Sequence, residues 1–319
     1  MEDHHEWYAQ RFAELVKGVG VVIKGKEPQV RLVLTCLIAE GHVLIEDVPG
    51  TGKTALARTV AALLDGSWSR IQFTPDLLPA DVTGVTIFNQ RSQTFEFHQG
   101  PVFANVVLAD EINRAAPKTQ SALLEVMEER QVTVDASTYH VPRPFSVIAT
   151  LNPIEFEGTY RLPEAQLDRF LMRISLGYPS MEEEARVVDS GGAAATLAQV
   201  HPVVSGSTIQ SMQAIAERVE LVPEVRDYML RVARSTREAP ELRLGVSTRG
   251  VMAMARAARA FAASEARHYV TPDDIKALVA PVWAHRCVLT PDAEFSGATA
   301  KDVLERLVAA QSIRVSSAN

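Results

Sequence analysis

Short apolar runs alternate with amphipathic segments through the first half of the chain, the pattern of a parallel sheet wrapped by helices. Five runs read as strands: HVLIE (42–46), RIQF (70–73), VVLAD (106–110), FSVIATL (145–151) and MRISLGY (172–178). Val106 to Ala109 lack polar alternation, as expected of a strand covered on both faces. Helical spacing marks segments near 28–40, 54–64 and 118–129, the second ending close to Gly66. Two segments break the rhythm. GVTIFNQRSQTFEFHQG (84–100) alternates on both sides of a polar centre, and RQVTVDASTYHVP (130–142) does so around Asp135-Ala136-Ser137. Both predict β-hairpins inserted into the α/β unit.

After Tyr178 the pattern changes. Ser180 followed three residues later by Glu183 forms a capping box and predicts a helix start. SGGAAATLAQVHPVVSGS (190–207) reads as an exposed, mobile connector of small and polar residues. The remainder is helical, with no strand longer than a few residues and no internal repeat. Thr271 is placed as an N-cap, with Pro272 in the first turn behind it. The expected organisation is an α/β domain over 1–178 and an all-helical domain over 179–319.

Composition narrows the class. A chain of 319 residues is long enough for one large and one smaller core. With 47% hydrophobic and 22% charged residues it matches ordinary soluble globular proteins. A net charge of -7 argues against a general affinity for nucleic acid, whose phosphates select basic faces. Cys36 and Cys287 stand far apart among apolar neighbours and read as buried thiols rather than a disulfide framework, which suits a cytoplasmic protein. The opening MEDHHEWYAQ lacks the basic and apolar regions of a secretory leader, and no apolar run is long enough for a membrane span. His4 and His5 read as solvated tail.

The chemistry gathers at strand ends. The segment EDVPGTGKT lies between a predicted strand and a predicted helix, the context of a phosphate-binding loop. Gly52, Lys53 and Thr54 complete the G-x-x-x-x-G-K-[ST] pattern, whereas its first glycine is replaced by Asp47. The expected cradle runs through Asp47, Val48, Pro49, Gly50, Thr51, Gly52, Lys53, Thr54 and Ala55. Its backbone N–H groups would converge on phosphate oxygens, Lys53 would neutralise β/γ-phosphate charge, and the Thr54 hydroxyl would reach Mg²⁺. A Cβ at Gly50 or Gly52 would hinder that approach. Asp47 tolerates turn geometry but must aim its carboxylate away from the phosphates.

Further candidates follow in the same order along the sheet. Asp110 ends the third strand, where it can hold Mg²⁺, and adjacent Glu111 is suited to deprotonate an attacking water. Asn152 ends the next strand; its amide could hold that water, although Asn before Pro153 is also an ordinary turn former. Arg169 is expected on a short helix before the fifth strand and Arg249 at the start of a helix in the second domain. Either could stabilise a transferring phosphoryl group, and for Arg169 an ion pair with neighbouring Asp168 competes.

Taken together, EDVPGTGKT, ADEINRA, LLEVMEERQVTV, IATLNPIEFEGTYRLPEAQLDRF, GVSTRG and PVWAHR resemble the MoxR group of AAA+ ATPases. The resemblance runs from about residue 20 to 290, and rests on several motifs in order rather than on the GKT alone. It implies ATP as substrate and Mg²⁺ as cofactor. Lys53 and Thr54 match the Walker A pair, Asp110 and Glu111 the Walker B pair, and Asn152 sensor 1. Arg169 matches the arginine finger acting on the adjacent subunit, and Arg249 sensor 2. Arg114 is placed at the subunit interface, and the two hairpins match the helix-2 and pre-sensor-1 inserts that face a central pore. Such proteins form nucleotide-dependent hexamers and are associated with chaperone-like maturation of partners. Those partners often carry von Willebrand factor A domains and are often metal-dependent. The competing expectation is a nucleic-acid-linked AAA+ motor. Against it stand the acidic balance and an insert without the GAFTGA sequence by which activators engage sigma factor. The Ala284-His285-Arg286 segment is expected to pack the lid.

Overall fold

The computed structural model describes residues 4–134, 137–153, 160 and 162–312. It opens with α1 (His4–Val22), which buries Tyr8, Phe12, Leu15, Val19 and Val22 at spacings of three and four, one stripe of a helix. α2 (Glu27–Ile38) carries Pro28 in its first turn, where a missing N–H leaves no bond unmade. The alternation of strands and helices then follows: β1 (Val43–Glu46), α3 (Lys53–Leu63), β2 (Trp68–Gln72), α4 (Pro79–Thr83), β3 (Gly84–Asn89), β4 (Thr94–Gln99), β5 (Val106–Asp110), α5 (Pro117–Glu129), β6 (Gln131–Val134), β7 (Ser137–His140), β8 (Ser146–Leu151), α6 (Glu164–Leu167) and β9 (Met172–Ile174).

The five predicted strands form one sheet in the order β2-β5-β8-β1-β9, and every neighbouring pair is parallel. Alternate residues feed opposite layers. Val43 and Ile45 pack with α1, α2 and α3, whereas Leu44, Val107 and Ala109 pack with α5. β9 is shorter than the run 172–178 suggests, because the N–H groups of Leu176 and Gly177 turn to the carboxylate of Asp47 instead of a strand neighbour.

Both expected hairpins are present as antiparallel ribbons, β3 with β4 and β6 with β7; Asp135 and Ala136 lie outside the described residues. The ring of Phe97 on β4 stacks on Tyr139 of β7 with centroids 4.2 Å apart, so the two ribbons lean on one another. The first ribbon keeps Val85, Ile87, Phe88 and Phe95 exposed.

The second half contains α7 (Met181–Asp189), α8 (Gly192–Leu197), α9 (Gly206–Glu217), α10 (Pro223–Glu238), β10 (Leu242–Leu244), α11 (Thr248–Ser264), α12 (Pro272–Trp283), β11 (Val288–Leu289), α13 (Pro291–Phe295) and α14 (Ala300–Ala310). Ser180 and Glu183 exchange the two bonds of a capping box at the start of α7, and Thr271 with Asp274 does the same for α12. β10 and β11 pair as a short antiparallel ribbon. The segment 190–207 keeps most of its residues exposed, as expected, yet it is more than a connector. It folds into α8, Leu197 and Val200 pack on the core, and the N–H groups of Val203 and Val204 both reach the carbonyl of Leu63. Its Gly and Ser residues suggest a linker, but its scattered aliphatic side chains are enough to dock it.

The alanine-rich α11 buries Ala253, Ala257, Ala258, Ala260, Ala262 and Ala263, small side chains that let α1, α2, α9 and α12 approach it closely. The Tyr8 hydroxyl donates to the carbonyl of Ala260 at 3.0 Å. The helical half therefore shares one continuous apolar cluster with α1 to α3. Cys36 and Cys287 are buried free thiols, and burial raises the pKa of both. Among the described residues no helix is long and apolar enough to cross a membrane.

Candidate active site

Parallel strands bring all their C-terminal ends to one edge, and the phosphate loop lies there, between β1 and α3. Gly50 and Gly52 hold φ of 86° and 88°, left-handed values at which a side chain is strained. A Cβ on Gly50 would meet no protein atom within 4 Å, so the requirement at that position is conformational. α3 begins at Lys53 and presents its first-turn N–H groups to this loop. The Lys53 ammonium donates to the carbonyls of Asp47 at 2.8 Å and Val48 at 2.9 Å. Partial burial lowers the Lys53 pKa, while the charges of Asp47, Asp110 and Glu111 act in the opposite direction. Lys53 thus faces three acids at this strand edge.

Asp47 turns its side chain out of the loop. Only 7% exposed, its carboxylate accepts from Ser175 Oγ at 3.0 Å and from the N–H groups of Leu176 and Gly177, the latter at 3.1 Å. Its own N–H donates to Leu151 at the end of β8. An acid at the first motif position is therefore compatible with the cradle, because the charge is spent on the segment that leads from β9 to the helical half.

Asp110 and Glu111 stand next to the loop but face different partners. Asp110 Oδ1 accepts from Thr150 Oγ1 and Oδ2 from Arg70 Nη2, each at 2.7 Å. The carboxylate of Glu111 accepts from Gln72 Nε2 at 2.9 Å and Arg114 Nη1 at 2.8 Å, while its N–H donates to Thr150 Oγ1. Glu111 itself sits at φ 56°, ψ 51°, a left-handed backbone uncommon for a residue with a side chain. Asn152 follows β8 directly and is buried. The polar partners Arg70, Gln72 and Thr150 were not expected from sequence. The available signal was the i, i+2 spacing of Arg70 and Gln72 on β2, which register places opposite Leu108 and Asp110.

Arg169 and Arg249 lie at the other end of the sheet. Arg169 falls in the turn after α6 rather than on it, just before β9 and therefore at the N-terminal ends of the strands. β1 alone separates that end from the loop by four residues, about 13 Å at a rise of roughly 3.3 Å each. Arg169 Nη2 lies 3.2 Å from Glu128 Oε2, and Arg249 Nη2 lies 2.7 Å from Glu128 Oε1. The two arginines thus share one carboxylate and do not join the loop of their own chain. The competing Asp168–Arg169 pair is not made: Asp168 bonds Arg286 instead, at 2.6 Å. Arg114, expected at a subunit interface, pairs with Glu111 in its own chain.

A cavity of about 540 Å³, lined by Val16, Gly20, Ile23, Lys24, Arg31 and Arg186, adjoins the loop through Ile23, whose Cδ1 would be 3.7 Å from a Cβ on Gly52. Sequence reasoning did not single out this side of the site.

Comparison with known proteins bears on this geometry. The profile of the ATPase family associated with various cellular activities (AAA) matches residues 42–172, and that of the AAA lid domain matches residues 234–307. The chaperone MoxR1 of Mycobacterium tuberculosis is 42% identical over 90% of this chain and 78% of its own length. Protein MoxR of Paracoccus denitrificans is 33% identical over 90% of this chain and 91% of its own. The chain belongs to the MoxR family of AAA+ ATPases. The YeaC protein of Bacillus subtilis is 45% identical over 94% of each chain. A crystal structure of a candidate ATPase from Cytophaga hutchinsonii superposes with a TM-score of 0.92 at 37% identity, covering 98% of both chains. In this MoxR-family chain the α/β unit with its parallel five-stranded sheet is the AAA domain, and a lid domain follows it.

Proposed function

We propose that this chain hydrolyses ATP to ADP and phosphate, and does so only in a ring in which each subunit completes the site of its neighbour. The observation that carries the reading is the separation of Arg169 and Arg249 from the phosphate loop of their own chain, with both gathered on Glu128. In one subunit they are idle; across an interface they would face a second subunit's loop.

Within each site the chain's residues divide the work. The loop from Asp47 to Gly52 with its left-handed glycines, together with the first turn of α3 at Lys53, Thr54 and Ala55, fits a polyphosphate held by backbone N–H groups. The cavity beside Ile23 fits the nucleoside end. Lys53 leaves the loop carbonyls to bond phosphate oxygens, an exchange of one set of acceptors for a charged one. Thr54 and Asp110 supply the hydroxyl and carboxylate that suit Mg²⁺, a hard cation that takes oxygen ligands. When bound, Mg²⁺ would neutralise charge on the β- and γ-phosphates. Glu111 accepts the proton of the attacking water and Asn152 orients that water, while Arg169 and Arg249 act in trans on the charge of the transferring phosphoryl group.

The division after Tyr178, hexameric assembly and cytoplasmic location belong to the same proposal. We assign the output to chaperone-like remodelling of a client protein, of the kind that carries a von Willebrand factor A domain, including help with metal-cofactor insertion. The exposed apolar ribbon β3–β4 supports a protein rather than a nucleic-acid client, as does the net charge of -7. Tight, strongly salt-dependent DNA binding would reverse that order in favour of a nucleic-acid-linked motor.

The test is phosphate release with particle mass measured in parallel. Glu111→Gln should bind ATP and assemble, yet turn over at least about a hundredfold slower, the scale of a lost catalytic base. Brisk hydrolysis by a monomer at high dilution would refute the ring.

A further inference from the structure

We propose that Asp168 and Arg286 are positioning residues that hold Arg169 and Arg249 as one rigid pair for use on a neighbouring subunit. The inference rests on the trans role of the two arginines given above. Neither Asp168 nor Arg286 approaches the phosphate loop of its own chain, and the packing role expected for Ala284-His285-Arg286 does not account for what Arg286 bonds.

Arg286, 6% exposed, wraps its guanidinium around the turn that bears Arg169. Nε donates to Asp168 Oδ1 at 2.6 Å, Nη2 to the carbonyls of Asp168 at 3.1 Å and Phe170 at 2.6 Å, and Nη1 to that of Leu171 at 3.2 Å. Nη1 also bonds the carbonyl of Val282 in α12. All the donors of an arginine fork are thereby aimed at one turn and the helix behind it, a set that the single ammonium of lysine cannot reproduce.

The other oxygen of Asp168 reaches the second arginine. Oδ2 accepts from Ser247 Oγ at 3.2 Å, and Ser247 is the N-cap of α11, bonded in turn by the N–H of Gly250. Arg249 lies in that first turn. Packing there is tight: a Cβ on Gly250 would stand 2.9 Å from Arg286 Cδ, and Trp283 Nε1 donates to the Gly250 carbonyl at 2.8 Å. One carboxylate therefore ties the turn of Arg169 to the helix of Arg249, and Arg286 locks both to the lid. Two long, flexible side chains are anchored at their bases before a neighbour arrives, which limits the freedom lost when they engage phosphate.

The experiment uses the full chain with Asp168→Asn, Arg286→Lys, Ser247→Ala, Arg169→Ala and Glu111→Gln. For each, the affinity for a non-hydrolysable ATP analogue, the kcat for phosphate release, and the activity after mixing with Glu111→Gln are measured. Asp168→Asn and Arg286→Lys should keep analogue affinity within about twofold while kcat falls about tenfold or more, the scale of misplaced transition-state donors. Mixing either with Glu111→Gln should restore part of the rate, because an intact finger then faces an intact acid; a general folding defect would not be rescued. Ser247→Ala, at an exposed position, should lower kcat severalfold with analogue affinity unchanged, and guards against loss of fold in the buried variants. Wild-type kcat in these three variants beside an inactive Arg169→Ala overturns the positioning role alone, as does a loss that mixing cannot restore. Wild-type kcat in Arg169→Ala overturns the trans reading itself, and the positioning role with it.

Discussion

Glu128 at the end of α5 and Arg249 at the start of α11, 121 residues apart in sequence, meet at 2.7 Å across the contact between the α/β unit and the lid. The same carboxylate holds Arg169, so the candidate finger and the candidate sensor 2 rest on one acid. An arginine in that position must leave Glu128 before it can bond a phosphate. Glu128→Gln should therefore lower the protein concentration at half-maximal ATPase. An exposed ion pair of about 0.2–1 kcal/mol corresponds to a shift of up to about fivefold. Activity titrated against subunit concentration measures it; a shift to higher concentration would assign Glu128 a supporting rather than a competing role.

Lys53 is drawn toward the loop's carbonyls and is the cation closest to the expected phosphates. Removing a charged hydrogen-bond donor costs about 1.5–3 kcal/mol. Lys53→Met should weaken ATP-analogue binding by roughly 10- to 100-fold. Equilibrium titration of the analogue checks this, and unchanged affinity would remove Lys53 from the phosphate contacts.

Asp47→Gly restores the usual phosphate-loop pattern yet should harm this protein. It removes the acceptor of Ser175 Oγ and of the Leu176 and Gly177 N–H groups; Leu176 is buried, and a buried donor left alone costs about 1–3 kcal/mol. Analogue binding should survive, because the side chain points away from the cradle. Thermal unfolding should occur several degrees lower, and amide exchange at Leu176 and Gly177 should quicken. A variant as stable as the parent would show that the contact does not hold the start of the lid.

Acid should destabilise the fold through buried neutral histidines. His42 lies between Met127 and Val147, accepting at Nδ1 from the Val147 N–H and donating from Nε2 to the Met127 carbonyl. Burial, with a smaller contribution from the charge of Arg130, lowers its pKa from 6.5 to about 4. Between those values the unfolded chain takes up a proton that the folded chain refuses, so stability falls as pH drops. The slope is about 1.4 kcal/mol per pH unit for each such imidazole. His285 contributes in the same sense, its pKa depressed by burial and then by Arg286. Denaturant unfolding across this window should show a shallower slope for His42→Gln by about that amount.

Much of the fold was legible because its signals are local. Unbroken aliphatic runs mark buried strands, the Ser180–Glu183 and Thr271–Asp274 pairs mark helix starts, and Gly50 with Gly52 mark a loop that needs left-handed backbone. What escaped depends on register and on contacts far along the chain. The i, i+2 spacing puts Arg70 and Gln72 on one face of β2, but Arg70 meets Asp110 only because β2 lies beside β5, which that spacing does not give. Arg169, placed before a parallel strand, could be assigned to the far end of the sheet, but its meeting with Arg249 on Glu128 joins residues that no local signal links. In 190–207 the α8 helix and its docking escaped because Gly and Ser content outweighed a few aliphatic residues that find a surface only after α3 and α1 are in place.

Glu111 occupies a backbone conformation that glycine would adopt without strain. Relief of that backbone would favour a hydrogen in place of its side chain by about 1 kcal/mol, against which stand the carboxylate's bonds to Gln72 and Arg114. Backbone ease and turnover therefore make opposite demands at this one position. A Glu111→Gly chain should melt close to its parent, backbone relief offsetting the lost carboxylate bonds, while remaining a lasting captive of the nucleotide it has bound.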